Sequence, residues 1–353
     1  MQPRRSTMGA QALHNTRDSR ALRDTFTQYL ALTKPRVMSL AVFTAFVGLW
    51  TAPKHLDLIT TLVALACIAL GAAAAGALNM WYDADIDAIM TRTSVRPIPR
   101  GQRSRREALI FGLCLALGST VACALFVNVT AAALLAFTIA FYVLVYTVWL
   151  KRRSPQSIVI GGLAGALPPA IGWIATGSPV SLEPALLVLI IFLWTPPHFW
   201  ALALQRSSDY ARAGIPTLPV AAGREEAQRS IWRYSVLLVS SSVLPWALGY
   251  AGTVYAVPAA LLGLAFLGFA LDVRQIKVKR PRAPGQLFGF SILYLFCLFS
   301  SLLLDEVTRT DRLFPALFEV AVTSPEAPDD ATAQPAHSEA TQLESTALAS
   351  PYP

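Results

Sequence analysis

The residues that could do chemistry begin at Asn79, Asp83 and Asp87, spaced four apart in the segment NMWYDADID at 79–87. An α-helix turns about 100° per residue, so each step of four drifts only about 40°, and the three side chains share one face while Asp85 points the other way. Three oxygen-bearing side chains on one face suit Mg²⁺, a hard ion that prefers oxygen and keeps waters and substrate phosphates in its shell. Carboxylates at i, i+4 repel each other in the absence of a cation. The acids also follow directly on an apolar run, at membrane depth, where ionisable groups are functional by default. The competing reading is a helix end whose solvated acids are balanced by later arginines. Arg92, Arg96, Pro97, Pro99 and Arg100 form a turn-rich basic segment able to fold back over an anion.

A second segment, 195–220, supplies Arg206, Asp209, Tyr210 and Arg212, then a Gly214-Ile215-Pro216 turn. It echoes the run of acid, base and Ile-Pro in the first segment and hints at two four-helix halves with a ninth helix added. His198 follows Pro196-Pro197 and is a lone imidazole in an apolar stretch. Either a backbone group satisfies it, or it meets substrate as a base, a phosphate ligand or a haem-iron ligand. Gly161, Gly162 and Gly165, with Pro168-Pro169, read as a broken helix beside a cavity or as close helix packing.

These residues need elements to position them. Of 353 residues, 54% are hydrophobic and 14% charged, against about 25% charged in soluble globular chains. The fold class expected is all-α: a polytopic membrane protein. A bilayer core about 30 Å thick needs about 20 apolar helical residues, and nine stretches qualify: 37–52, 58–80, 108–127, 129–150, 157–176, 183–205, 231–252, 254–272 and 287–304. All but Lys54, Arg309 and Arg312 of the 29 Lys and Arg residues fall before the first span, in the loops after even-numbered spans or, for Arg233, at the very start of the seventh span. By the positive-inside rule the N-terminus is cytoplasmic and the C-terminus outside. The same dispersal excludes a nucleic-acid patch. Four cysteines, none in CxxC spacing, read as apolar packing residues. The polar, Arg-rich N-terminus lacks the apolar core of a signal peptide, and Asp18 and Asp24 argue against a mitochondrial presequence. The organisation expected is a polar segment 1–30, an intramembrane domain 31–305 and a polar, disordered tail 306–353.

The stretches LTKPRVMSL (32–40), NMWYDADIDAIMTRT…RPIP (79–99), YTVWLKRRSPQSIVIGG (146–162), GALPPAIGW (165–173) and TPPHFWALAL…DYARAGIPTLPV (195–220) together resemble the intramembrane UbiA-type prenyltransferases, in particular their haem-specific branch. The resemblance covers about residues 28–305. It implies nine transmembrane helices around a central cavity in a bacterial inner membrane, farnesyl diphosphate and haem b as substrates, and Mg²⁺ as cofactor. It also allows handover of product to a haem A synthase. Asn79, Asp83 and Asp87 would be metal-binding and catalytic, joined by Asp209. The second acidic motif departs from the fuller family form, with Ser207 and Ser208 before Asp209 and Ala213 where a later acid would stand, so a second metal is less secure. Candidate substrate contacts are Lys34, Arg36, Arg92, Arg96, Lys151, Arg152, Arg153, His198, Arg206 and Tyr210. Another prenyl acceptor would be served by the same metal site. The remaining alternative is a non-enzymatic membrane protein, a transporter or an oxidase assembly factor. A transporter would place ionisable groups near the bilayer midplane, whereas here they gather at one edge.

Overall fold

The computed structural model describes residues 22–275 and 282–322, with side chains through Arg309. The basic residues before position 22, the loop residues Lys277, Lys279 and Arg280, and the tail 323–353 lie outside the described residues. Every regular element among the described residues is helical. In chain order they are α1 (Leu22–Leu32), α2 (Pro35–Trp50), α3 (Leu58–Tyr82), α4 (Ala84–Ile89), α5 (Arg105–Phe126), α6 (Val129–Ala140), α7 (Ser157–Ala166), α8 (Pro168–Ala175), α9 (Leu182–Gln205), α10 (Ser207–Arg212), α11 (Leu218–Ala221), α12 (Gly223–Ala247), α13 (Thr253–Arg274) and α14 (Ala283–Val322). The helix of α6 continues as a π-helix over Phe141–Leu150.

Seven helices are long and apolar enough to cross a membrane, and the pair α1–α2, bent by 57°, raises the number to eight. The expected count of nine is not reached by this measure. The seventh expected span falls on α12, where Arg233, the serines at 240–242 and an end at Ala247 keep the helix less apolar than its neighbours. The chain is nonetheless a multi-pass membrane protein by its helices. One compact unit ends at Thr310 and a second begins at Asp311. The last helix continues past residue 305, where the tail was expected to start, to Val322.

Packing follows from where side chains are small. α3 lies on α5, α2 on α8, and α9 between α7 and α12. At the α2–α8 crossing, a Cβ on Gly48 would stand 2.1 Å from the Pro169 carbonyl oxygen, and one on Gly172 would stand 2.0 Å from that of Ala45. Glycine lets the two backbones touch there. The expected break before Pro168 is present, at Leu167 between α7 and α8. The double proline at 196–197 does not break α9, which is 24 residues long. Buried neighbours hold that stretch in place: Trp194, Pro196, Pro197 and Trp200 are all buried.

Candidate active site

α3 and α4 form almost one helix, with Asp83 at the joint. The amide of Asp83 donates to Asn79 O (3.0 Å) and that of Asp87 to Asp83 O (2.8 Å). The i, i+4 register therefore survives the joint, and Asn79, Asp83 and Asp87 are all buried while Asp85 is about half exposed. Asn79 Nδ2 donates to Asp83 Oδ2 (2.7 Å) and to Thr147 Oγ1 (3.2 Å). Lys34 Nζ donates to Asn79 Oδ1 (2.5 Å). Lys151 pairs with Asp83 Oδ2, and Arg96 Nη1 pairs with Asp87 Oδ2 at 2.5 Å. Two buried carboxylates are thus each matched by a cation: Asp83 by one 68 residues away in sequence, and Asp87 by one nine residues on in the same loop. Burying a carboxylate without such a partner would be costly.

Lys34 is the one non-glycine with positive φ among the described residues (φ 55°, ψ 55°). A left-handed residue just before a proline is disfavoured twice, at a cost of about 1–3 kcal/mol. That conformation stands at the bend between α1 and α2, where Lys34 Nζ meets Asn79.

Asp87 and the cations line a cavity of about 410 Å³, while Asp83 is fully buried behind the wall and reaches it through its pair with Lys151. Lys34, Asn79, Asp87, Arg92, Arg96, Lys151, His198 and Tyr210 all line it. Tyr142, Tyr146 and Thr195 also line it and were missed by the sequence reading. Tyr142 and Tyr146 lie on the π-helical run, with ring centroids 5.2 Å apart. Their i, i+4 spacing was the available signal, though the π geometry that carries them is not visible in residue types. In that run Thr147 Oγ1 donates to Tyr142 O (2.9 Å) and accepts from Asn79.

His198 is held on three sides. Its ring stacks on Trp194 (4.3 Å between centroids) and on Phe288 (4.7 Å). Its Nδ1 lies 2.6 Å from Ser291 Oγ, which itself donates to Phe288 O (2.6 Å). With the hydroxyl proton committed there, Nδ1–H donates to Ser291 and Nε2 keeps its lone pair.

Other expected residues are not drawn into the cavity. Asp209 is buried, but Thr91 Oγ1 donates to its Oδ1 (3.0 Å) and Arg212 pairs with the same oxygen. It ties the loop after α4 to α10. Arg152 turns to the outside of the mouth: its guanidinium grips Asp85 through two 2.8 Å bonds, with Asp83 Oδ1 3.8 Å from Nη2. The Arg152 hydrogen bonds hold the Asp85 carboxyl below the ordinary range. Arg36 and Arg153 are exposed. Arg206 lines a separate cleft with Gln205 and Arg224. The physical reason is angular: Arg36 is only two residues from cavity-lining Lys34, but helical rotation carries it to another side.

Among the described residues no three His, Cys, Asp or Glu side chains converge as a preformed metal cluster. The donor set still fits Mg²⁺, which takes one or two carboxylates plus substrate phosphates rather than an all-protein cage. Asp83 Oδ1 is buried with no hydrogen-bond donor on it, an oxygen in want of a partner.

Residues 41–299 match the UbiA prenyltransferase family, and the chain belongs to that family. Its relatives include the protoheme IX farnesyltransferases of Azorhizobium caulinodans, 56% identical over 80% of this chain and 92% of that one, and of Parvibaculum lavamentivorans, 51% identical over 85% and 96%. Among solved structures, a digeranylgeranylglyceryl phosphate synthase superposes with TM-score 0.67 at 18% identity, over 80% of this chain and 99% of that one. A UbiA homologue from Archaeoglobus fulgidus, bound to DMAPP and Mg²⁺, gives TM-score 0.54 at 18% identity over 77% and 99%. At such identities these two share the fold.

Proposed function

We propose that this chain is an enzyme that transfers the farnesyl group of farnesyl diphosphate to a vinyl group of haem b. Water adds in the same reaction, giving haem O and diphosphate. The observation that carries the chemistry is the buried pair Asp83 and Asp87, matched by Lys151 and Arg96 at the mouth of a largely apolar cavity. The acceptor follows from relatives above 50% identity that carry that activity in their names.

Lys34, Arg92, Arg96 and Lys151 surround the place for a diphosphate, and Asn79, Asp83 and Asp87 would hold Mg²⁺ against it. Mg²⁺, when bound, supplies Lewis-acid charge that stabilises the departing diphosphate. The cations add preorganised donors where negative charge grows as the allylic C1–O bond breaks. Tyr142, Tyr146, Trp194 and Phe199 line the cavity below. They exclude bulk water until the allylic carbon meets the vinyl terminus, and their rings can face a cation. Addition leaves a cation beside the porphyrin ring, which one water captures with loss of a proton. His198 Nε2, with its lone pair free, is the group placed to ligate the haem iron of the substrate.

The chain would act in a bacterial inner membrane with its N-terminus cytoplasmic and C-terminus outside, passing haem O on to a haem A synthase. The test of the activity is incubation of membranes containing the protein with haem b, farnesyl diphosphate and Mg²⁺, followed by reverse-phase chromatography of the haems. A later-eluting haem heavier by one farnesyl group and one hydroxyl is expected. No new haem, or prenylation of an aromatic acid instead, overturns the assignment. A reporter fused after Pro353 should report from outside the cytoplasm; a cytoplasmic signal would reverse the orientation.

A further inference from the structure

Beside the main cavity lies a second, narrower one of about 150 Å³. It runs between α2, α3, α6 and the α7–α8 break, and its wall is almost wholly apolar. The two cavities share five lining residues: Lys34, Val37, Ala41, Tyr142 and Gly165. Lys34 stands at the polar mouth of both.

Gly165 differs from the other glycines of α7. A Cβ on Gly161 would strike the Tyr146 ring at 2.2 Å, and one on Gly162 would sit 3.1 Å from Thr195 Cγ2. On Gly165 it would meet nothing within 4 Å, although the neighbouring residues Ala164 and Ala166 are buried. The missing side chain therefore leaves room between the two cavities rather than a helix contact. Along α3 the slot is lined by Gly76, Ala75, Ala72 and Gly71 and reaches Ile68. At its far end Ile68, Leu135 and Ile171 are each no more than 3% exposed and belong to one packed apolar cluster. Leu135 can close this end because residue 71 is glycine: Leu135 Cδ1 lies 2.7 Å from where a Cβ would stand. From the level of Gly76 to that of Ile68 is about 12 Å at 1.5 Å per residue.

We propose that this slot receives the hydrocarbon chain of the prenyl diphosphate, that Gly165 is its doorway, and that Leu135 with Ile68 and Ile171 forms a stop that selects a chain of limited length. The proposal rests on the prenyl-transfer reading above. The occupant follows from the wall that the two cavities share, Lys34 included. An apolar slot that begins at a cationic mouth, beside two carboxylates suited to Mg²⁺, fits a molecule with a diphosphate head and a hydrocarbon tail. A closed apolar end discriminates by length, because one chain too long must displace packed side chains, and a small change in such a pocket is worth about 10- to 200-fold.

The experiment measures binding of geranyl, farnesyl and geranylgeranyl diphosphate to the purified full-length protein with Mg²⁺, with no haem present. Gly165→Leu should weaken farnesyl diphosphate at least about tenfold relative to geranyl diphosphate. Leu135→Ala acts at the other end and should shift preference the opposite way, toward geranylgeranyl diphosphate. Gly118→Leu, at another position on the bundle with nothing within 4 Å, should leave the length profile as in the wild type. An unchanged length profile in both Gly165→Leu and Leu135→Ala overturns the slot, as does an equal loss for all three diphosphates in Gly165→Leu with no shift in Leu135→Ala. If Gly165→Leu fails to fold, the direction of the Leu135→Ala shift decides alone. Wild-type protein that binds farnesyl diphosphate by this profile yet makes no prenylated haem would refute the acceptor and leave the slot standing.

Discussion

Two loops of this molecule open with acid after a long membrane helix, and they are built differently. After α3, Asp83 and Asp87 are buried and matched by Lys151 and Arg96. Lys151 lies 68 residues from its partner in sequence. After α9, Asp209 is held by Arg212, three residues on, and by Thr91 from the first loop. The first arrangement collects charge from several elements around a cavity. The second uses one acid to fasten the two loops to each other. On the function proposed above, the acids beside the cavity are where a charged ligand would enter by exchanging partners, and Asp209 would serve as scaffold.

The largest effect expected from this difference is at Asp83 and Asp87. Asp83→Ala or Asp87→Ala should lower kcat by about 10²–10³, the scale of removing one preorganised contact to developing charge, as read by haem O formation in membranes. Equal losses in an Asp85→Ala protein would break the one-face argument. Next is Lys151→Ala, which should raise the KM for farnesyl diphosphate and lower kcat by roughly tenfold or more. Isothermal titration of inorganic diphosphate with Mg²⁺ separates lost binding from a folding defect. Asp209→Ala should act on the fold instead. It strips partners from Thr91 and Arg212 and should cost about 1–3 kcal/mol of stability, seen as a lower Tm in detergent, with bound-diphosphate affinity nearly kept. A loss of turnover in Asp209→Ala as deep as in Asp83→Ala would place a metal at the second loop and dissolve the contrast. The smallest change is expected for Asp85→Ala. It gives up an exposed ion pair with Arg152, an interaction typically worth about 0–1 kcal/mol, and turnover should stay within about threefold of wild type.

His198 sharpens the comparison from inside the cavity. If Nε2 binds haem iron, His198→Ala should shift the Soret band of bound haem while leaving diphosphate affinity alone. An unchanged Soret band would return the imidazole to a packing role between Trp194 and Phe288.

The amino-acid sequence by itself determined whatever depends on local periodicity. Apolar runs long enough for a bilayer set the all-helical class, and spacing by four put Asn79, Asp83 and Asp87 on one face, because helical rotation needs only near neighbours. Family motifs spread over the chain carried the activity. Tertiary structure decided the rest, because partners meet by packing and not by spacing. It brought Lys34 and Lys151 to the Asn79–Asp83 pair, and sent Arg36, Arg153 and Arg206 elsewhere. It gave Tyr142 and Tyr146 to the cavity wall through a π-helical run, and kept α9 helical across two prolines. It also separated glycines that look alike in sequence. Gly172 lets two backbones touch, while Gly165 faces open space, and the difference lies wholly in what the rest of the chain sets opposite each one.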